Sequence, residues 1–172
     1  MWAKSVAVAA LAGAMAWASP GQAEPPAPYD ITPELIDAAK KEGTVVFYTA
    51  TDVTVAEKLA ATFEQEFPGI KVQVERSGSE RVFQRIGQEY STGIYNADVI
   101  ETSDAVHFIL YKKEGWLTPA VPKVVADSWP AEDRDADGFY AAYRAHLSVI
   151  AYRTDQVKPE DAPKSFADLL DP

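Results

Sequence analysis

Three short apolar runs, each closing in small polar residues, constrain the fold of this chain more than any other feature. They are Thr44-Val45-Val46-Phe47-Tyr48-Thr49-Ala50-Thr51-Asp52, Ile70-Lys71-Val72-Gln73-Val74-Glu75-Arg76-Ser77-Gly78-Ser79 and Ala97-Asp98-Val99-Ile100-Glu101-Thr102-Ser103-Asp104. Stretches with apolar residues at helical spacing separate them, so the order is strand, helix, strand, helix, strand. That order belongs to an open α/β sheet of parallel strands. In such sheets ligands sit beyond the carboxyl ends of the strands. The hydroxyl-rich turns that hold Thr51, Ser77, Ser79 and Ser103 are therefore expected to converge on one cleft.

The helices follow from spacing and caps. A short helix starts at Thr32, with Pro33 in its first turn, an apolar face of Leu35, Ile36 and Ala39, and Gly43 as its stop. Val55, Leu59, Phe63 and Phe67 recur every four residues in the next, which is capped by a Thr54–Glu57 box or by Asp52 and ended by Pro68-Gly69. Ser77 or Ser79 is placed to cap a third helix carrying Val82, Phe83, Ile86 and Tyr90. Ser103 is placed to open a fourth that runs to about Glu114, and residues 139–152 read as a further strand.

Residues 1–23 read as an export signal. Lys4 precedes an apolar stretch from Val6 to Trp17, Ser19-Pro20 breaks it, and Ala23 or Ala18 offers a cleavage point. The apolar stretch is shorter than the roughly 20 residues that span a bilayer. The chain has no cysteine, which excludes a lipid-modified leader cysteine, disulfides, thiol catalysis and cysteine metal sites. An exported binder without a lipid anchor is retained in a periplasm. Residues 24–33 hold four prolines and are expected to form an extended lead-in outside the sheet. With 26 acidic residues against 16 Lys and Arg, the formal net charge is −10, which argues against a nucleic-acid partner.

Each strand-to-helix turn presents unpaired N–H groups and a hydroxyl, a geometry that favours anions. Taken singly, Thr51, Ser77, Ser79 and Ser103 also read as plain helix caps. Asp133-Arg134-Asp135-Ala136-Asp137-Gly138 matches the start of a calcium loop, but position twelve is Arg144 instead of Glu and Ser128-Trp129-Pro130 makes a poor entering helix. An exposed acidic turn reversed at Asp137-Gly138 is the reading kept. No nucleophile elbow or zinc-protease helix occurs. Of the two histidines, His107 reads as packed or surface, and His146, beside Arg144, is the one placed to meet a ligand.

The order Glu42-Gly43-Thr44-Val45-Val46-Phe47-Tyr48, Phe67-Pro68-Gly69-Ile70-Lys71-Val72, Ala97-Asp98-Val99 and Ile150-Ala151-Tyr152-Arg153-Thr154-Asp155-Gln156-Val157, followed by residues 162–172, resembles family 1 extracellular solute-binding proteins of ABC importers. Within that family it is most similar to the ferric-iron-binding group. The resemblance implies a type II periplasmic binding protein fold of two α/β lobes closing on ligand. Residues 34–147 would form lobe one, and residues 148–172 the hinge strand and the start of lobe two. It implies a non-catalytic periplasmic component with no cofactor, ferric iron as the transported ligand, a permease partner in the inner membrane, and a monomeric full-length protein. Thr51, Asp52, Ser77, Ser79, Ser103, Arg144 and His146 would line the cleft, with Arg144 pairing an anion.

Two departures from the group's pattern stand out. The first turn, Thr49-Ala50-Thr51-Asp52, lacks the His or Tyr ligand of iron binders, and near Ser103 only Asp104 is acidic. An organic anion, a phosphorylated compound or a polyamine is thus an alternative ligand. An exported α/β hydrolase and a sensor lobe are alternative roles. Asp171-Pro172 falls where the family continues into lobe two, so the sequence is expected to be a truncated piece with apolar surface and a strand edge exposed, poorly soluble alone.

Overall fold

The computed structural model describes residues 26–145 and 147–170. The leader at 1–23 and His146 lie outside the described residues. Three strands, β1 (Thr44–Thr49), β2 (Lys71–Arg76) and β3 (Val99–Glu101), form a parallel sheet in the order β2-β1-β3. The central strand thus pairs with both others. Helix α1 (Pro33–Glu42) leads into β1, α2 (Val53–Glu66) joins β1 to β2, and α3 (Ser79–Ser91) joins β2 to β3. Helix α4 (Ala105–Lys113) follows β3, and a short α5 (Lys123–Ser128) follows that.

The α1 boundaries match the sequence reading. Thr32 accepts a hydrogen bond from the Leu35 N–H, and Gly43 stops the helix at a φ of 78°. The β1-to-β2 and β2-to-β3 crossovers run in opposite directions across the sheet, so right-handed connection places α2 and α3 on opposite faces. Tyr48 of β1, Val82 and Ile86 of α3 and Tyr111 of α4 form the buried core on one face, with Val46, Ile100 and Trp116 packed around them. The Tyr111 hydroxyl is buried there without a hydrogen-bond partner among the described residues, and burial raises the pKa of the phenol.

The opposite face is open. Val45, Phe47, Val72 and Val99 of the sheet and Leu59 and Phe63 of α2 line a cavity of about 1210 Å³. Val55, Leu59 and Phe63, the apolar stripe of α2, are exposed, as is Val99, and only Ala56 of that helix is buried. Among the described residues β2 and β3 are both sheet edges. Exposed apolar surface and strand edges are thus both present.

Two elements differ from expectation, and the choice between the two caps offered for α2 is decided. The α2 cap is Asp52, not the Thr54–Glu57 box, because Thr54 already lies inside the helix. Residues 139–152 do not form a strand: beyond a bridge between Arg134 and Ala141 they have no ladder partner among the described residues, and Leu147 is 86% exposed. A strand needs a neighbour to take its backbone hydrogen bonds, and none is supplied here. For the same reason no hinge strand forms at 148–152 among the described residues. The proline-rich lead-in stays outside the sheet, held by a bridge between Tyr29 and Pro122.

Candidate functional site

The carboxyl ends of the three strands meet around a buried carboxylate. Glu101, the last residue of β3, is 6% exposed. Its Oε2 accepts from the Thr49 hydroxyl at 2.6 Å and from the Ala50 N–H, the Thr51 N–H and the Thr51 hydroxyl at 3.0 Å each. Its Oε1 accepts from the Arg144 guanidinium at 2.7 Å. Burial pushes this carboxyl up, but the Thr49 and Thr51 hydroxyls, the Arg144 charge and the Ala50 N–H outweigh it and hold the pKa below the ordinary carboxylate value. Parallel register sets Thr49 directly beside Glu101, so the contact is built into the sheet.

Thr51 is 1% exposed and makes a further contact, its hydroxyl lying 3.0 Å from that of Tyr143. Its carbonyl accepts from Nε of Arg76, the last residue of β2, at 3.3 Å. Four donors of the β1–α2 turn are therefore engaged by an internal anion. Thr51 anchors the site from below and does not face solvent.

The next two turns join each other. The hydroxyls of Ser79 and Ser103 are 2.8 Å apart, and the Ser103 N–H donates to Ser79 Oγ at 3.1 Å. Neither is a helix cap: Gly78 precedes α3, and Asp104 caps α4 by accepting from the Val106 N–H at 2.9 Å. Asp104 wins over Ser103 because its carboxylate reaches the N–H two residues on from the position next to the helix. Ser77 extends the β1–β2 pairing, its N–H donating to the Thr49 carbonyl at 3.0 Å. Beneath these turns His107, 6% exposed, stacks on Phe83 at 4.5 Å and places Nδ1 3.2 Å from the Thr102 hydroxyl. It is packed, as its flanks implied.

The acidic turn also has its charge answered internally. Asp137-Gly138 reverses the chain, with Gly138 at φ 78° and its N–H donating to the Asp135 carbonyl at 3.0 Å. The turn is not fully exposed as expected, because the Lys112 ammonium of α4 binds both Asp135 oxygens at 2.7 and 2.9 Å and Asp137 at 2.6 Å. A side-chain cation thus stands among carboxylates of the calcium-like loop.

Of the residues expected in the cleft, Thr51 and Arg144 meet at Glu101, and Ser79 meets Ser103. Ser77 and Asp52 flank these pairs, Asp52 exposed at the α2 cap with no side-chain cap bond. The cavity reaches this edge at Glu101, Thr102, Ser103, Tyr143 and Arg144, and extends from the apolar sheet face to the acidic turn at Asp133 and Asp135. Glu101, Tyr143 and Arg76 escaped the sequence reading. An acidic residue closing a short apolar strand was the available signal for Glu101. Among the described residues no group of three His, Asp or Glu side chains is placed to hold a metal ion.

The sequence profile of the bacterial extracellular solute-binding protein family matches residues 49–172. The chain belongs to that family. A probable ABC transporter periplasmic-binding protein, y4fP of Sinorhizobium fredii (strain NBRC 101917 / NGR234), is 31% identical over 101 residues, covering 59% of this chain and 27% of its own length. Iron-bound HitA from Pseudomonas aeruginosa is similar in structure, with a TM-score of 0.67 and 26% identity over 75% of this chain and 41% of its own. Trichodesmium IdiA (FutA), solved with iron and citrate, has a TM-score of 0.50 and 23% identity over 56% of this chain and 30% of its own, a likeness of fold. The chain thus spans less than half the length of these proteins. The neighbours are periplasmic binding proteins, and the three-stranded parallel sheet with its helices fits a single lobe of that fold.

Proposed function

We propose that this chain is part of the solute-capturing component of an ABC importer in the periplasm, binding without catalysis and delivering its ligand to a membrane permease. The observation that carries the reading is the convergence of all three strand-to-helix turns on one sheet edge, through the Glu101 cluster and the Ser79–Ser103 contact, in a member of the solute-binding family. An open parallel sheet binds ligands at that edge, where successive connections run in opposite directions across the sheet. Hydrolysis fits less well. The described partners of the Ser79 hydroxyl are the hydroxyl and N–H of Ser103, with no base bonded to it.

Ferric iron, or iron with an anion, is the first ligand on this reading, supported by the likeness to iron-bound HitA. Iron would draw on ligands beyond His, Asp and Glu of the described residues, since no three of these side chains are brought together. Arg144, with one N–H on Glu101 and the rest of its fork available, favours an anion-bearing ligand as the second reading.

Thermal-shift measurement of the full-length protein against ferric iron, ferric citrate, sugar phosphates, polyamines and neutral sugars tests this. Stabilisation by one class, saturating with concentration, is the expected result. No shift with any member, or turnover of an ester that Ser79→Ala abolishes, would overturn it.

A further inference from the structure

We propose that Arg76 and Arg144 form a paired-guanidinium clamp for one anionic group of the solute, a carboxylate or a phosphate, and that Arg76 is the residue selecting for that charge. The proposal rests on the solute-binding reading above and names the chemistry its site accepts.

The first step is elimination. In a parallel sheet a free anion ordinarily takes the N–H groups of the strand-to-helix turns. Here the β1–α2 turn already holds one, because the Ala50 and Thr51 N–H groups and the Thr49 and Thr51 hydroxyls all donate to Glu101. A carboxylate also stands at each helix start: Asp52 caps α2, Glu80 lies in the first turn of α3, and Asp104 caps α4. These charges repel an anion from the helix N-termini. The cationic groups bonded to this turn are the two arginines, Arg76 and Arg144.

Both arginines are tied to the same small unit. Arg76 donates Nε to the Thr51 carbonyl at 3.3 Å. Arg144 donates to Glu101 Oε1 at 2.7 Å, and the other oxygen of that carboxylate binds the Thr51 N–H and hydroxyl. Both guanidiniums are thus tied to Thr51, Arg76 directly and Arg144 through Glu101. Each has five N–H donors in a planar fork, and one described bond occupies each. The fork geometry matches the paired oxygens of a carboxylate or phosphate.

Charge separates their roles. Glu101 balances Arg144, whereas Arg76 makes no ion pair among the described residues. Arg85, on α3, shows the contrast, since Glu75 and Glu89 both hold it. Of the two arginines tied to Thr51, Arg76 is the one whose charge has no ion-pair partner among the described residues.

The test titrates citrate and inorganic phosphate, each with and without ferric ion, into the full-length protein as wild type, Arg76→Ala, Arg76→Lys and Arg81→Ala. Arg81, exposed in the first turn of α3, carries the same charge but makes no bond to Thr51 or Glu101 among the described residues. Arg76→Ala is expected to weaken the anion that binds by about ten- to hundredfold, the value of one or two charge-assisted hydrogen bonds. Arg76→Lys recovers part of the loss, Arg81→Ala changes nothing, and citrate against phosphate identifies which anion is taken. Equal binding by Arg76→Ala and wild type, or an equal loss in Arg81→Ala, refutes the clamp. If the wild type binds a neutral or cationic solute, or ferric ion with no anion, and Arg76→Ala binds it as well, the clamp falls and the solute-binding reading stands. If the wild type binds nothing in the wider panel, the solute-binding reading itself falls.

Discussion

Replacing Glu101 with Gln keeps the shape of the side chain and removes its charge. The amide offers one acceptor oxygen and, in place of the second, an NH₂ group that only donates. Facing the turn with its oxygen, it sets its NH₂ against the Arg144 guanidinium. Facing the other way, it sets its NH₂ against four donors from Thr49, Ala50 and Thr51. Either orientation leaves donors facing donors in a site where Glu101 is 6% exposed. Breaking a buried ion pair by removing one partner costs about 3 to 5 kcal/mol. At about 2 to 4 °C per kcal/mol for a cooperative unit of the size of this 172-residue chain, and less for a longer one, Glu101→Gln should melt lower at neutral pH by up to about 20 °C.

The pH dependence supplies a second check. The Glu101 pKa is lowered on folding, so its stabilisation is present above the unfolded value of about 4.3 and is lost as pH falls through the lower folded value. The gap between wild type and variant should therefore be widest near neutrality and close in acid. Melting curves of the full-length protein from neutral pH down to about pH 3 measure both. A variant that melts within about 2 °C of wild type at neutral pH, or a gap that does not narrow in acid, would refute the reasoning.

Tyr111→Phe removes a buried hydroxyl that has no partner among the described residues and should raise stability by up to about 1 kcal/mol in urea unfolding; a clear loss would reveal a partner for that hydroxyl. Gly138→Ala should cost about 2 to 3 kcal/mol in the same assay, because the residue sits at φ 78° and a Cβ there overlaps Val121 Cγ2. Adding Val121→Ala should restore only the steric part. Lys112→Met should lower the unfolding midpoint by leaving Asp135 and Asp137 facing each other, while wild type shows no calcium-induced shift because the ammonium stands between them. Double-mutant analysis of Ser79→Ala with Ser103→Ala should give a coupling of about 1 kcal/mol, and strict additivity would deny the contact.

The local physics of the fold was legible in the sequence. Alternation at Val72 and Val74, the apolar run of β1 and the stop at Gly43 depend on neighbours in the chain, and each appears where its residues demand. What failed depends on distant partners. Residues 139–152 have the composition of a strand but no strand beside them among the described residues. The i+4 stripe of α2 is helical as read, yet its apolar residues are exposed because burial depends on what covers the helix. Glu101 binds Thr51 across 50 positions and Arg144 across 43, distances at which spacing carries no signal. The hydroxyl turns were found, but Thr51 serves an internal carboxylate, and helix capping falls to Asp104 instead of Ser103.

Hydrogen exchange of the full-length protein, free and with the solute that stabilises it, tests the central claim most directly. Binding at the carboxyl edge predicts added protection confined in this region to the three turns, residues 50–54, 76–80 and 101–105, with the acidic turn at 133–138 unchanged. Protection that appears elsewhere and leaves all three turns as they were would contradict it.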